Sequence, residues 1–286
     1  MNIANQTPPE QKVRSYYNRL GTRLGYNLIM RSSQHFGLYD NKTKDEPQAQ
    51  INFHKNLSEI LNLKPGMLLL DAGCGQGVVA CYLGKNYGVA VEGITIVPRE
   101  ANRANSRAIK VGIAEKVKFR VADYTSPPFE PETFDRIYTT ETLSHAYDLP
   151  KTLKSFYDCL KPRGKIVCVE YEIDYKNLSE KDAKTYNFWQ STGSLNGLRD
   201  FDRGNFMRLI KATGFKEVTE QDLSKRVMPS FRRIYQLGWP FDKIATFFHI
   251  EKYFVNAVAA KGYYLCVKHG VFKYKIYTAT KPKARV

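Results

Sequence analysis

The stretch LLLDAGCGQG, residues 68–77, decides how the rest of the chain is read. An apolar run ends on Asp71, and glycine then stands at 73, 75 and 77. A buried strand that runs into such a turn lets the backbone approach a ligand closely, because glycine has no Cβ and takes positive φ without strain. The spacing is not the GxGxxG that presents a helix N-terminus to a pyrophosphate. Nor is it the GxxxxGK[ST] of a phosphate loop. An acidic residue just ahead of the turn suits the cationic end of an adenosine-bearing small molecule better than a phosphate. The plainer alternative is that the glycines serve backbone packing alone.

Outward from this turn, strands and helices alternate. GMLLLDAG, VAVEGIT, VKFRVAD, FDRIYTTE and KIVCVEYEI read as strands. GVVACYLGKNY, PREANRANSRAIKVG and LPKTLKSFYDCLKPRG read as the helices between them. That alternation predicts a parallel sheet in an α/β domain. Upstream, residues 10–31 have helical spacing, HFGLYDNKTKDEPQ reads as a loop, and 48–62 as an amphipathic helix. Downstream, 175–200 reads as polar with TGSLNG as a loop, followed by a helix over DRGNFMRLIKATGF, a strand over KEVTEQDLS, a helical aromatic stretch at 228–260 and a last strand, VFKYKIYTATKP. The division expected is 1–62 as an N-terminal helical lid, 63–174 as the ligand-binding core, and 175–286 as the remaining two strands with an inserted helical lid.

Composition argues against several classes. With 43% hydrophobic residues in 286, the chain can bury a sizeable core. MNIANQTPPEQKVR has no apolar signal-peptide core, and no run approaches the roughly 20 apolar residues of a membrane span. The five cysteines form no CxxC pair, so neither a disulfide framework nor a metal site is expected. A reduced, cytoplasmic protein is the expectation. The net charge of +16 is uneven: residues 223–286 hold 13 Lys and Arg against Asp242 and Glu251 alone. Such asymmetry suits an anionic substrate group, an anionic membrane surface or nucleic acid, or is simply a solvated surface.

The acid-GxGxG turn resembles the first motif of the class I S-adenosylmethionine-dependent methyltransferases. Asp123 in VADYT, the strand FDRIYTTE and the turn LKPRGKIVCVE match later motifs of that family in order and spacing. The resemblance covers about residues 65–172. It implies a Rossmann-like, seven-stranded, mostly parallel sheet flanked by helices, with helical additions at the N-terminus, after strand 5 and between strands 6 and 7. It implies S-adenosylmethionine as cofactor, held by Asp71, Gly73, Gly75, Gly77, Asp123 and Tyr124.

One position departs from the pattern. Strand 2 usually ends on an acid that holds the ribose, and Thr95 stands there instead. GITIVPREANRAN resembles the branch containing sterol C-24, geranyl-diphosphate, tocopherol and cyclopropane-forming enzymes. There Thr95, Ile96 and Glu100 would serve the ribose, and Tyr16 or Tyr17 of the N-terminal segment would approach the methionine carboxylate. Glu100 is equally well read as a solvated helix residue, and either tyrosine as core.

The acceptor is read from ETLSHA and VEYEI, which resemble an acid and a histidine after strand 4 and an acid at the end of strand 5. Glu170, then Glu141 and His145, are the candidate catalytic residues; Glu172 is expected to face solvent. TSPPF, residues 125–129, imitates a base-amino methyltransferase motif but precedes strand 4, so nucleic acid is not expected. The chain has 19 Tyr and 16 Phe. Aromatic faces and a carboxylate suit the carbocation left by C-methylation of an alkene, as in a prenyl diphosphate, terpenoid or sterol side chain. Tyr39, Trp239 and the pair Arg232–Arg233 are the candidate substrate contacts, with Mg²⁺ entering only as counter-ion of a diphosphate. A small-molecule N- or O-methyltransferase and a non-catalytic binding module stay open as alternatives, as do peripheral membrane contact and homo-oligomerisation.

Overall fold

The computed structural model describes residues 9–18, 33, 35–192, 195–248 and 255–283. Among them, seven strands form one sheet in the order β3-β2-β1-β4-β5-β7-β6. They are β1 (Leu68–Ala72), β2 (Ala90–Thr95), β3 (Val117–Val121), β4 (Phe134–Thr140), β5 (Leu160–Ile173), β6 (Lys216–Asp222) and β7 (Phe272–Thr280). β1 to β5 pair in parallel. β7 runs antiparallel between β5 and β6. β1 has β2 on one side and β4 on the other. The chain therefore leaves β1 in one direction and returns to β4 in the other, which opens a crevice at the carboxyl ends of these strands.

The central strands are apolar because helices cover both of their faces. Leu69, Leu70 and Ala72 in β1 are fully buried. The helix Pro98–Lys110 begins with proline, whose missing N–H costs nothing at that position, and turns Ala101, Ala104 and Ala108 inward. Its small side chains let it lie close to the sheet. The helix Glu46–Leu61 starts at Asp45, whose carboxylate accepts from the Gln48 N–H at 3.0 Å. It buries Ala49, Phe53, Leu57 and Leu61, one residue per turn.

Several sequence expectations move. The helix expected to run through LKPRG covers only Leu149–Cys159, and β5 begins at Leu160. Pro162 lacks an N–H and Arg163 sits at φ 64°, so the pairing of β4 with β5 shifts register there rather than breaking. The polar stretch after β5, where a helical addition is expected, holds the helix Glu180–Thr192. Ser179 opens it by accepting from the Asp182 N–H at 3.1 Å. The helical aromatic stretch is two helices, Ser224–Phe247 and Val255–Lys268. At the N-terminus a helix spans Pro9–Asn18; the expected continuation over residues 19–31, with Tyr26, lies outside the described residues. No helix among the described residues is long and apolar enough to cross a membrane.

Candidate functional site

A cleft lies at the carboxyl ends of β1 to β4. Its floor is the glycine turn. Gly73 sits at φ 91° and Gly75 at φ 50°, in the left-handed region. A Cβ on Gly73 would stand 2.2 Å from Oγ1 of Thr142, so only glycine fits between the turn and the loop after β4. Gly77, at φ 72°, serves packing instead, since a Cβ there would meet the Phe119 ring at 2.6 Å. It sets how closely the next helix lies on the sheet and does not line the cleft.

The walls come from three strand ends. Thr95, Ile96 and Val97 follow β2, and Glu100 enters from the first turn of the helix behind them. The Thr95 hydroxyl accepts from the Val97 N–H at 3.2 Å and donates to Glu100 at 3.4 Å, which shapes that corner. Asp123 and Tyr124 follow β3. Asp123 accepts from the Thr125 N–H at 2.8 Å and the Tyr147 hydroxyl at 3.1 Å. The Tyr124 hydroxyl donates to the Thr142 carbonyl at 3.0 Å, tying that wall to the loop after β4. Glu10, Val13 and Tyr17 of the N-terminal helix close the mouth. The lining thus carries Glu10, Glu100 and Asp123 but, among the described residues, no lysine or arginine. It favours a cationic ligand with hydroxyl groups.

At one end, the Tyr17 hydroxyl lies 2.9 Å from Nε2 of His145, and both line the cleft. Tyr16 packs edge-on against Tyr17 with ring centres 5.1 Å apart and is core rather than lining. His145 ends the short helical turn Leu143–His145. That turn rests on Glu170, which is fully buried and accepts from the Leu143 N–H at 2.6 Å. Its second oxygen is buried with no hydrogen-bond partner among the described residues. Burial pushes the Glu170 carboxyl up to about 8. It is largely protonated at neutral pH and supports the loop from below, away from the cleft.

Behind the loop lies a second constellation. Glu141, at φ 54°, accepts from the Phe36 N–H at 2.9 Å, the Tyr171 hydroxyl at 2.5 Å and the Tyr274 hydroxyl at 2.6 Å. Burial raises its carboxyl to about 7, with these three donors opposing the rise. Phe36, Phe231 and Tyr263 complete the wall: Phe36 and Phe231 ring centres are 4.1 Å apart, and Tyr263 lies 5.3 Å from Tyr171 and 5.9 Å from Phe231. One carboxylate is thus enclosed by five aromatic rings drawn from a loop, β5, β7 and two helices.

Other predicted residues stand elsewhere. Asp71 is buried behind the turn, accepts from the Tyr138 hydroxyl at 2.9 Å and does not line the cleft. Burial raises it to about 7. Tyr39 donates to Glu46 at 3.3 Å, in a loop-to-helix contact. Arg232 and Trp239 are exposed on the helix Ser224–Phe247, Arg233 is half-buried there, and none lines the cleft. Glu172 does not face solvent: it is 5% exposed and pairs with Lys275 at 2.8 Å. The neighbouring strand β7 delivers that lysine, a pairing with no local trace in the sequence. Trp189 has no described side chain. Thr142, Tyr147, Tyr171 and Tyr274 had no sequence signal of their own; the last two are brought together only by the register of β5 with β7. Among the described residues no group of three metal-ligating side chains occurs.

Comparison with known proteins places this geometry. A family model described as a methyltransferase domain matches residues 70–168. The S-adenosyl-L-methionine-dependent Diels-Alderase iccD of Talaromyces variabilis is 27% identical over 98% of both chains. Phosphoethanolamine N-methyltransferase 3 of Arabidopsis thaliana is 32% identical over 63% of this chain, a match that spans only 35% of that protein's length. Among solved structures, geranyl diphosphate C-methyltransferase from Streptomyces coelicolor A3(2) superposes with a TM-score of 0.75 at 18% identity, over 97% of this chain and 99% of that one. That likeness is one of fold.

Proposed function

We propose that this chain, whose residues 70–168 match a methyltransferase domain, is a class I S-adenosylmethionine-dependent methyltransferase that methylates a carbon of an alkene in a hydrophobic, isoprenoid-like small molecule. The cleft fits the cofactor. Gly73 and Gly75 leave room at the turn, Thr95 to Val97 with Glu100 and Asp123 offer acceptors for hydroxyl and amino groups, and Tyr17 covers the mouth. When bound, S-adenosylmethionine supplies an electrophilic methyl group on a sulfonium.

The observation that carries the reading is Glu141 inside its aromatic wall. Phe36, Tyr171, Phe231, Tyr263 and Tyr274 turn π-faces and edges around a carboxyl raised to about 7 by burial. A cationic centre on the substrate would be steadied by such rings in the absence of water. The same cation would draw the Glu141 proton off, since a nearby positive charge favours the ionised form. His145, oriented by Tyr17 at the cleft, is the base we assign to the final proton loss. Glu170 holds the turn that aims His145 and is a positioning residue.

A labelled-methyl assay tests this. Sterols, prenyl alcohols, prenyl diphosphates and amines are offered with the donor, and products are located by NMR. Label on carbon is expected. Label on nitrogen or oxygen would overturn the reading. A second reading rests on the full-length relative named a Diels-Alderase. Here the same aromatic wall would fold a polyene for ring closure. It predicts a cyclised product of unchanged formula and no label transferred.

A further inference from the structure

The turn TSPPF, residues 125–129, follows the cleft residues Asp123 and Tyr124 and has no part in the reading above. Its structure gives it one. The Asp123 carboxylate accepts from the Thr125 N–H at 2.8 Å through Oδ1, and the Asp123 carbonyl accepts from the Ser126 N–H at 3.2 Å. Pro127 and Pro128 follow, each with its φ fixed by the ring. The Phe129 ring then packs edge-on against Phe134 of β4, with centres 4.8 Å apart. Thr125 itself is 3% exposed. Its hydroxyl therefore stands on a rigid, buried base.

The second oxygen of Asp123 is held from another element. Tyr147, at the end of the loop after β4, donates its hydroxyl proton to Oδ2 at 3.1 Å. The Thr125 hydroxyl lies 2.7 Å from the same Tyr147 oxygen. A phenol has one proton to give. With that proton on Asp123, Thr125 must be the donor in the shorter contact. The chain of hydroxyls therefore runs one way, from Thr125 through Tyr147 to Asp123. Both carboxylate oxygens are fixed by protein donors, and each keeps a lone pair for a ligand. Asp123 and Tyr147 both line the cleft, along with Ile96 and Val97.

We propose that Thr125 and Tyr147 position Asp123 as a fixed acceptor for the base amino group of the cofactor, and so select adenine over a base that carries oxygen at that place. Asp123 takes this role only if the cleft holds S-adenosylmethionine, as proposed above. A fixed acceptor matters most to a donor that cannot turn to meet it. The amino group of adenine lies in the plane of the ring, with its two N–H directions set. An ammonium or a hydroxyl rotates about its own bond and finds its partner. A carbonyl oxygen at the same place would face the Asp123 oxygens, leaving two acceptors opposed with no proton between them. Tyr147 acts through Asp123 and is a positioning residue.

Calorimetry on the full chain compares S-adenosylhomocysteine with S-inosylhomocysteine, which carries a carbonyl in place of the amino group. The parent is expected to bind the adenosyl compound at least about tenfold more tightly, the order set by one hydrogen bond to a charged group. Tyr147→Phe keeps the ring and removes the donor. It should weaken the adenosyl compound about five- to tenfold and leave the inosyl compound within about twofold. Thr125→Val, which keeps the N–H of that residue, should shift the preference the same way by a smaller factor. The ratio of the two affinities carries the test, since a merely loosened loop would weaken both compounds alike. A parallel loss for both, or no change in either, overturns the proposal. So does tighter adenosyl binding by Tyr147→Phe, which would make the hydroxyl a competitor for Asp123. A parent with equal affinity for the two compounds also overturns it, while the cofactor reading of the cleft stands. A parent that binds neither sinks both.

Discussion

The cleft at the ends of β1 to β4 and the packed aromatic cluster around Glu141 lie on either side of one loop, residues 141–147, and are built differently. The floor and strand-end walls of the cleft carry local features: a strand-end threonine and an aspartate each accept from the N–H two residues on, while the Gly73–Thr142 approach and the Tyr17–His145 contact close it from distant segments. The cluster is made of long-range ones. Glu141 meets Phe36 from 105 residues away and Tyr274 from 133. A site whose chemistry is common to a family can be written in local motifs. The cluster to which we assign the substrate is written in contacts, which can change one side chain at a time.

This contrast can be broken at several points, the largest first. Gly73→Val should abolish cofactor binding, with the dissociation constant rising about a hundredfold or more: the left-handed φ and the overlap with Thr142 together are on the order of 3 kcal/mol. Calorimetry on a variant with unchanged circular dichroism reads this out. Parent-like affinity would mean that the cofactor does not use this turn.

Next is the far side of the sheet. Lys275, 5% exposed, bridges Glu172 and Glu220 at 2.8 and 2.6 Å. Lys275→Met would leave Glu172 buried with the Gly204 N–H as its remaining donor. A loss of about 3 kcal/mol in denaturant unfolding is expected, with kcat at a permissive temperature intact. A variant as stable as the parent would show that the lysine is replaceable by packing.

His145→Ala should lower kcat about a hundredfold while cofactor affinity changes only a few-fold. A parallel loss of cofactor binding would instead make the Tyr17–His145 contact a lid clasp and nothing more. Smallest is a pH effect. The Glu170 carboxyl, at about 8 in the fold, keeps a proton that the unfolded chain releases above about 4.5. Its contribution is full below that lower value and is lost as pH rises through 8. Thermal unfolding should therefore move to lower temperature between pH 5 and 8, and Glu170→Gln should reduce that slope, the rest coming from Glu141 and Asp71, both raised to about 7 by burial. His35, lowered to about 4 by burial, acts in the other direction, losing stability as pH falls from about 6.5 to 4. A parent profile that rises between pH 5 and 8 would contradict the Glu170 assignment.

What the sequence disclosed follows the same division. The turn at 71–77, the ends of β2 and β3, and the order of five parallel strands were legible because each is a local pattern. Asp71 was legible as part of the motif but not as a buried partner of Tyr138, since β4 lies 67 residues away. Glu172 reads as a surface residue because nothing near it announces Lys275. The helix Glu180–Thr192 is hard to read because its apolar residues form no continuous stripe in EKDAKTYNFWQST. The aromatic residues of 228–260 look alike in sequence and suggest one lid. Only packing separates Phe231, which faces the cluster, from Phe247, which faces outward.

The position of β7 has a consequence for how the chain is made. It is the last strand in sequence, yet it fills the slot between β5 and β6. While a ribosome is still adding residues 174–271, β5 presents a bare edge of nine residues, 165–173, with Glu170, Tyr171 and Glu172 lacking the strand partners that Lys275, Tyr274 and Lys273 later supply. β6 has no neighbour in the sheet until that strand arrives. Maturation is therefore a late event in synthesis: the cluster around Glu141 closes in the same step that removes the chain's longest sticky edge, and a message cut short before codon 272 would yield an aggregating fragment instead of a weakened enzyme.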